Sequence, residues 1–132
     1  MDEEAGLEEV RAFIAEHIQS VVQLEVLLLL ANRPRESWTP ASVARALQID
    51  TAWVERQLDN LAARGFLTRA THPEPDYHYN PQAPGLQKAV ARLAQVYNER
   101  RVTVISMIYS KPADALRAFT DAFRIRKEGR DG

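Results

Sequence analysis

The sequence predicts a mostly α-helical chain with one small β-hairpin near its middle. Three observations predict it. Two short stretches with helical spacing of apolar residues, Pro40 to Leu47 and Thr51 to Arg64, are separated only by Gln48-Ile49-Asp50. Gly65 then leads into two strand-like pieces around a tip broken by prolines. Longer stretches of helical periodicity lie on both outer sides of this middle.

In order along the chain, Leu7, Val10, Ile14, Ile18 and Val21 recur at steps of three and four, which predicts an amphipathic helix. Val22 to Asn32 continues helical. Val26, Leu27, Leu29 and Leu30 make most of its circumference apolar, so it is expected to be buried on most sides. Asn32-Arg33-Pro34 stops it, because a residue before proline disfavours the helical region. Ser37-Trp38-Thr39 reads as a short extended piece. Thr39 caps the next helix and Pro40 suits its first position, where a missing N–H costs nothing. Val43 and Leu47 face inward there. Asp50 caps the following helix, on which Val54, Leu58 and Leu61 share a face, and Gly65 supplies its left-handed end.

Phe66 to Ala70 reads as a strand, Thr71 to Asp76 as a turn-rich tip with two prolines, and Tyr77-His78-Tyr79 as the returning strand. A long helix is expected from near Gly85. Leu86, Val90, Leu93, Tyr97, Val104 and Met107 keep a four-three alternation, with Arg100 in the one polar slot, the pattern of two helices lying along each other. Val102 to Tyr109 is rich in β-branched residues, yet the stripe runs through it and no turn signal precedes it, so helix is the expectation. Lys111-Pro112 breaks the run. A last helix follows, with Leu116, Phe119 and Phe123 on one side. One domain over 1–132 is expected, with helices in 1–33, a core in 37–80 and helices in 85–128.

Composition narrows the function. Of 132 residues 45% are apolar and 27% charged, which is ordinary for a globular chain. Absence of cysteine excludes a disulfide framework, a thiol nucleophile and a thiolate metal site, and suits the cytoplasm. Val21 to Ala31, the longest apolar run, is interrupted by Gln23 and Glu25 and falls short of the ~20 residues a bilayer needs, so no membrane partner is expected. His17, His72 and His78 are scattered, so no metal is expected. Ser37, Ser42 and Ser106 lack a partnered base, and no glycine pair cradles a phosphate, so neither enzyme activity nor a cofactor is expected. Trp38 and Trp53 read as packing residues. The net charge of −1 is low for a nucleic-acid binder, with acids crowded into residues 1–16 and bases into the tail.

Two short helices across a three-residue turn, then glycine and a hairpin, make a winged helix-turn-helix. Val43-Ala44-Arg45-Ala46-Leu47, Ile49-Asp50 and the spacing Val54, Leu58, Leu61, Gly65-Phe66-Leu67 resemble the winged-helix transcription regulators. The order of elements is similar to the multiple-antibiotic-resistance regulator (MarR) type. The resemblance implies a homodimer joined by the outer helices, through Leu86, Val90, Leu93, Tyr97, Val104 and Met107, and a second helix that reads DNA. With Val54, Leu58 and Leu61 inward, that helix turns Ala52, Arg56, Asp59, Asn60 and Ala63 outward, with Glu55 on the flank. Arg56 suits guanine and Asn60 adenine. Thr51, Arg64, Arg69 and His72 are the expected contacts around them. Asp59 and Glu55 oppose phosphates, and the tip His72-Pro73-Glu74-Pro75-Asp76 lacks the Asp-x-Arg of the resembled wings. DNA binding is therefore expected to be weak or carried by avidity in a dimer. The reading of another class is a winged-helix module that binds a protein partner, through the acidic wing or through Arg117, Arg124, Arg126 and Lys127 beside Phe119 and Phe123.

Overall fold

Local capping chemistry fixes the elements at the middle of the chain. In the computed structural model, which describes residues 2–71 and 73–110, Thr39 Oγ1 accepts from the Ser42 amide at 3.1 Å while Ser42 Oγ accepts from the Thr39 amide at 2.9 Å. With Pro40 in the first position, this reciprocal box starts α3, Pro40–Leu47. Gln48 ends it in the left-handed region at φ 59°, which is uncommon for a residue with a side chain. The Asp50 side chain then accepts from the Trp53 amide and opens α4, Thr51–Ala63. Gly65, at φ 91°, turns the chain into β1, Leu67–Ala70, which pairs antiparallel with β2, Asp76–Tyr79. The register sets Leu67 opposite Tyr79 and Arg69 opposite Tyr77. The extended piece expected around Trp38 docks on the far side of β2, where Trp38 and Tyr77 exchange backbone hydrogen bonds of 2.8 and 2.7 Å.

Two bends shape the outer sides, and the second corrects the single long helix expected from Gly85. The N-terminal stretch divides into α1, Asp2–His17, and α2, Val21–Asn32, which cross at 110°. Ser20 starts α2 by accepting from the Gln23 amide at 3.0 Å. The long helix expected from Gly85 through Met107 also divides, into α5, Pro84–Glu99, and α6, Arg101–Ser110. Arg100 sits between them at φ −136° and ψ 60°; its amide closes α5 on the Val96 carbonyl and its own carbonyl accepts from Val104 to start α6. The bend is fastened to α2. The Tyr97 hydroxyl donates to Glu25 Oε2, Arg101 Nη2 lies 3.3 Å from the same oxygen, and the guanidinium stands 5.0 Å from the Tyr97 ring centre. Burial, with Glu25 adding to it, pushes the Tyr97 phenol up to about 12, so it stays a donor.

Packing explains why those bends form. α1 lies against α5 and α6, while α2 lies against α4. Val10, Phe13 and Ile14 of α1 are buried, with Ile18 just after it, as are Val90, Leu93 and Tyr97 of α5 and Val104, Met107 and Ile108 of α6. Each large apolar side chain fully removed from water contributes about 1.5–3 kcal/mol before ordering costs. A straight α5–α6 rod would carry one end of its stripe away from α1; the bend keeps both ends on it. The expected last helix, with Leu116, Phe119 and Phe123, and His72 at the hairpin tip lie outside the described residues.

Candidate nucleic-acid interface

α4 is plugged into the molecule by Val54, Leu58 and Leu61, none of which retains exposed surface. At 3.6 residues per turn, this leaves Ala52, Arg56, Asp59 and Ala63 on the far side and Glu55 on its flank, and all five are exposed. Arg56 lies at the centre of the free face and, among the described residues, has no hydrogen-bond or ion-pair partner. Ala52 and Ala63 project only methyl groups beside it, so a flat or grooved surface can approach the helix backbone closely. Thr51 is exposed at the N-terminal end, where the Asp50 carboxylate already accepts from the Trp53 amide at 3.3 Å.

Asp59, which on sequence alone stands against phosphate, proves to be neutralised. The Tyr77 hydroxyl donates to Asp59 Oδ1 at 2.5 Å and accepts from Arg69 Nε at 3.0 Å, while Arg69 Nε lies 3.5 Å from the same Asp59 oxygen. The Arg69 guanidinium also stands 5.8 Å from the Tyr77 ring centre. Burial pushes the Tyr77 phenol up and its hydrogen bond to Asp59 pushes it further, against the pull of Arg69. The hydroxyl therefore keeps its proton and donates it. These three groups clamp the β-ribbon to the outer side of α4. Arg69, expected at a phosphate, holds this clamp through its Nε, and its side chain stays 41% exposed.

Asn60 and Arg64 also make hydrogen bonds within the chain. Asn60 is half-buried and turned towards α2, where its Oδ1 accepts from Gln23 Nε2 at 2.7 Å and from Arg64 Nε at 2.9 Å. Arg64 Nη1 reaches the Glu16 carbonyl at the end of α1, at 3.2 Å. Gln23 itself is fully buried and accepts the Gln19 amide at 2.7 Å, so one polar chain joins the α1–α2 bend to the second half of α4. His17 packs beside it, with ring centres 4.9 Å from Phe13 and 5.3 Å from Phe66. Its Nδ1 is buried without a partner among the described residues. Burial pushes the His17 pKa down; Glu16 opposes this and Arg64 reinforces it.

The stripe expected between two copies lies inside this chain. Val90, Leu93, Tyr97, Val104 and Met107 are buried and Leu86 is half-buried, packed where α5 and α6 meet α1. Among the described residues three large apolar ones are exposed instead: Trp53 at 48%, Val102 at 76% and Tyr109 at 77%. Trp53 is the residue that sequence reasoning missed. Its place one step back from Val54, about 100° around the axis, already put it off the buried face. The basic residues of the tail, Arg117 to Lys127, lie outside the described residues. Among the described residues no group of three His, Cys, Asp or Glu side chains is placed to hold a metal ion, and no single helix is long and apolar enough to cross a membrane.

No protein-family model matches the sequence, and no curated protein does. Solved structures do share its architecture. A point mutant of MepR from Staphylococcus aureus, bound to an oligodeoxyribonucleotide, is 15% identical, with 100% of this chain and 94% of that one covered at a TM-score of 0.54. The reduced form of MarR from Escherichia coli is 14% identical, covering 94% and 88% of the two chains at 0.51. A transcriptional regulator from Thermotoga maritima is 14% identical, covering 96% and 87% at 0.50. At this identity the likeness is one of fold: the chain has a MarR-like winged-helix fold.

Proposed function

We propose, from that fold as premise, that the chain is a DNA-binding transcription regulator acting as a homodimer, with α4 in the major groove and the β-ribbon beside it. The observation that carries the reading is the free face of α4, centred on Arg56 and kept low by Ala52 and Ala63. Arg56 is the base reader, with a guanidinium suited to the O6 and N7 of guanine. Thr51, exposed at the start of α4, offers its hydroxyl to a phosphate. Asn60, Arg64 and Arg69 hold the helix at its working angle. A MepR structure bound to an oligodeoxyribonucleotide shares the fold over the whole chain, which supports the same use here.

Few phosphates are engaged on this reading, because Asp59 and Arg69 cancel each other and the net charge is −1. The test is a mobility shift over a salt series, on duplexes selected from a random library. Arg56→Ala weakens binding about tenfold or more, the loss expected of one bidentate base contact. Absence of any salt-sensitive affinity at low ionic strength refutes the reading. The second copy docks on α6, where exposed Val102 and Tyr109 share a face with half-buried Ile105. Tyr109→Glu then gives a monomer by solution mass, with its helical content kept. A monomeric wild type removes the homodimer.

A further inference from the structure

We propose that Trp53 determines specificity: its indole takes the 5-methyl group of a thymine at a fixed step from the guanine read by Arg56. The inference rests on the proposed DNA-binding reading and adds a second base to it. Trp53 stands in the first turn of α4, three residues before Arg56, so the two side chains are neighbours on the helix surface. About half of Trp53 is exposed, and among the described residues no aromatic ring or cation packs against it. By contrast Trp38 is half-buried between the strands and the core. On the outward side of α4, which otherwise shows Ala52, Glu55, Arg56, Asp59 and Ala63, Trp53 is the one large apolar ring, and it is 48% exposed. In the major groove, the thymine methyl is the one apolar group that a base pair presents, and it lies along the groove wall. Trp53 sits on the flank of the free face, where such a wall runs. Contacts of this kind matter more here than in a basic protein, since the paired Asp59 and Arg69 leave α4 little net attraction for phosphate.

Deoxyuridine provides the probe, because it differs from thymidine only by that methyl group. Each thymine of a selected duplex is replaced in turn, and affinities of the wild type, Trp53→Ala and Trp53→Phe are compared at one salt concentration. The expected result is one thymine at which deoxyuridine weakens wild-type binding by about fourfold, the factor one buried methyl group supplies. Trp53→Phe retains this penalty and Trp53→Ala abolishes it, while circular dichroism and the salt slope stay those of the wild type. A flat thymine scan, or equal penalties in wild type and Trp53→Ala, overturns the inference while Arg56→Ala still reports on the DNA reading. A wild type that binds no duplex overturns both. If Trp53→Ala leaves DNA affinity untouched but abolishes capture of a protein, the indole serves a protein surface and the inference falls.

Discussion

Replacing Gln23 with leucine tests the polar chain behind α4. Gln23 is fully buried, accepting the Gln19 amide and donating to Asn60, both at 2.7 Å. Leucine has nearly the same volume and removes both bonds. Each is worth about 0.5–1.5 kcal/mol net. Asn60 Oδ1 keeps Arg64 Nε as a donor, so it is not stranded, whereas the Gln19 amide loses its acceptor. The balance is a loss of about 2 kcal/mol, which for a chain of this length lowers the Tm by roughly 7 °C. Urea and thermal unfolding at one fixed protein concentration measure it, since association would otherwise shift both. A double-mutant cycle with Asn60→Ala adds the diagnostic quantity, a coupling of about 1 kcal/mol. A Gln23→Leu variant within about 0.5 kcal/mol of wild type, or strict additivity with Asn60→Ala, would refute the account.

Two further outcomes follow from the titratable groups around α4. His17 has a lowered pKa in the fold, so the native state favours its neutral form. Its contribution is present above the unfolded value of about 6.5 and is lost as pH falls below that value towards the folded pKa. Stability measured from pH 7.5 down to 5 should therefore drop more steeply in wild type than in His17→Phe; equal slopes would contradict the burial argument. Tyr77→Phe keeps the buried ring and removes the hydroxyl that joins Asp59 to Arg69. A stability loss of about 1 kcal/mol is expected, reduced from the usual value for charged partners because both are half-exposed to water. Unfolding curves check it, and an unchanged midpoint would show that the clamp is only a surface contact.

The middle of the fold was readable because its signals are local. Thr39 with Pro40, Asp50, and Gly65 each act on backbone within four residues, and the α4 plug of Val54, Leu58 and Leu61 is a spacing. The bend at Arg100 has no such signal: neither proline nor glycine marks it, and it exists because α1 must touch both α5 and α6. Ser20 was a legible cap, hidden by apolar periodicity that runs across it. For the site, exposure of Arg56 followed from geometry alone. The loss of Asn60 to Gln23, 37 residues earlier, and of Arg69 to Tyr77 and Asp59 did not, because each depends on which elements meet in space. The apolar stripe of Leu86 to Met107 was visible, but a stripe does not say whether a helix of the same chain or of another covers it.

The packing of α1 also has a consequence during synthesis. Its apolar side chains, Val10, Phe13 and Ile14, are made well before α5 and α6, residues 84–110, which lie against that helix. At about 5–20 residues per second, that greasy face waits roughly 5–20 seconds for its cover. The ribbon and its two neighbouring helices draw on nearer contacts in the meantime. A nascent chain stalled before residue 84 should thus hold a formed centre, with the side of α1 that faces α5 and α6 still open to water.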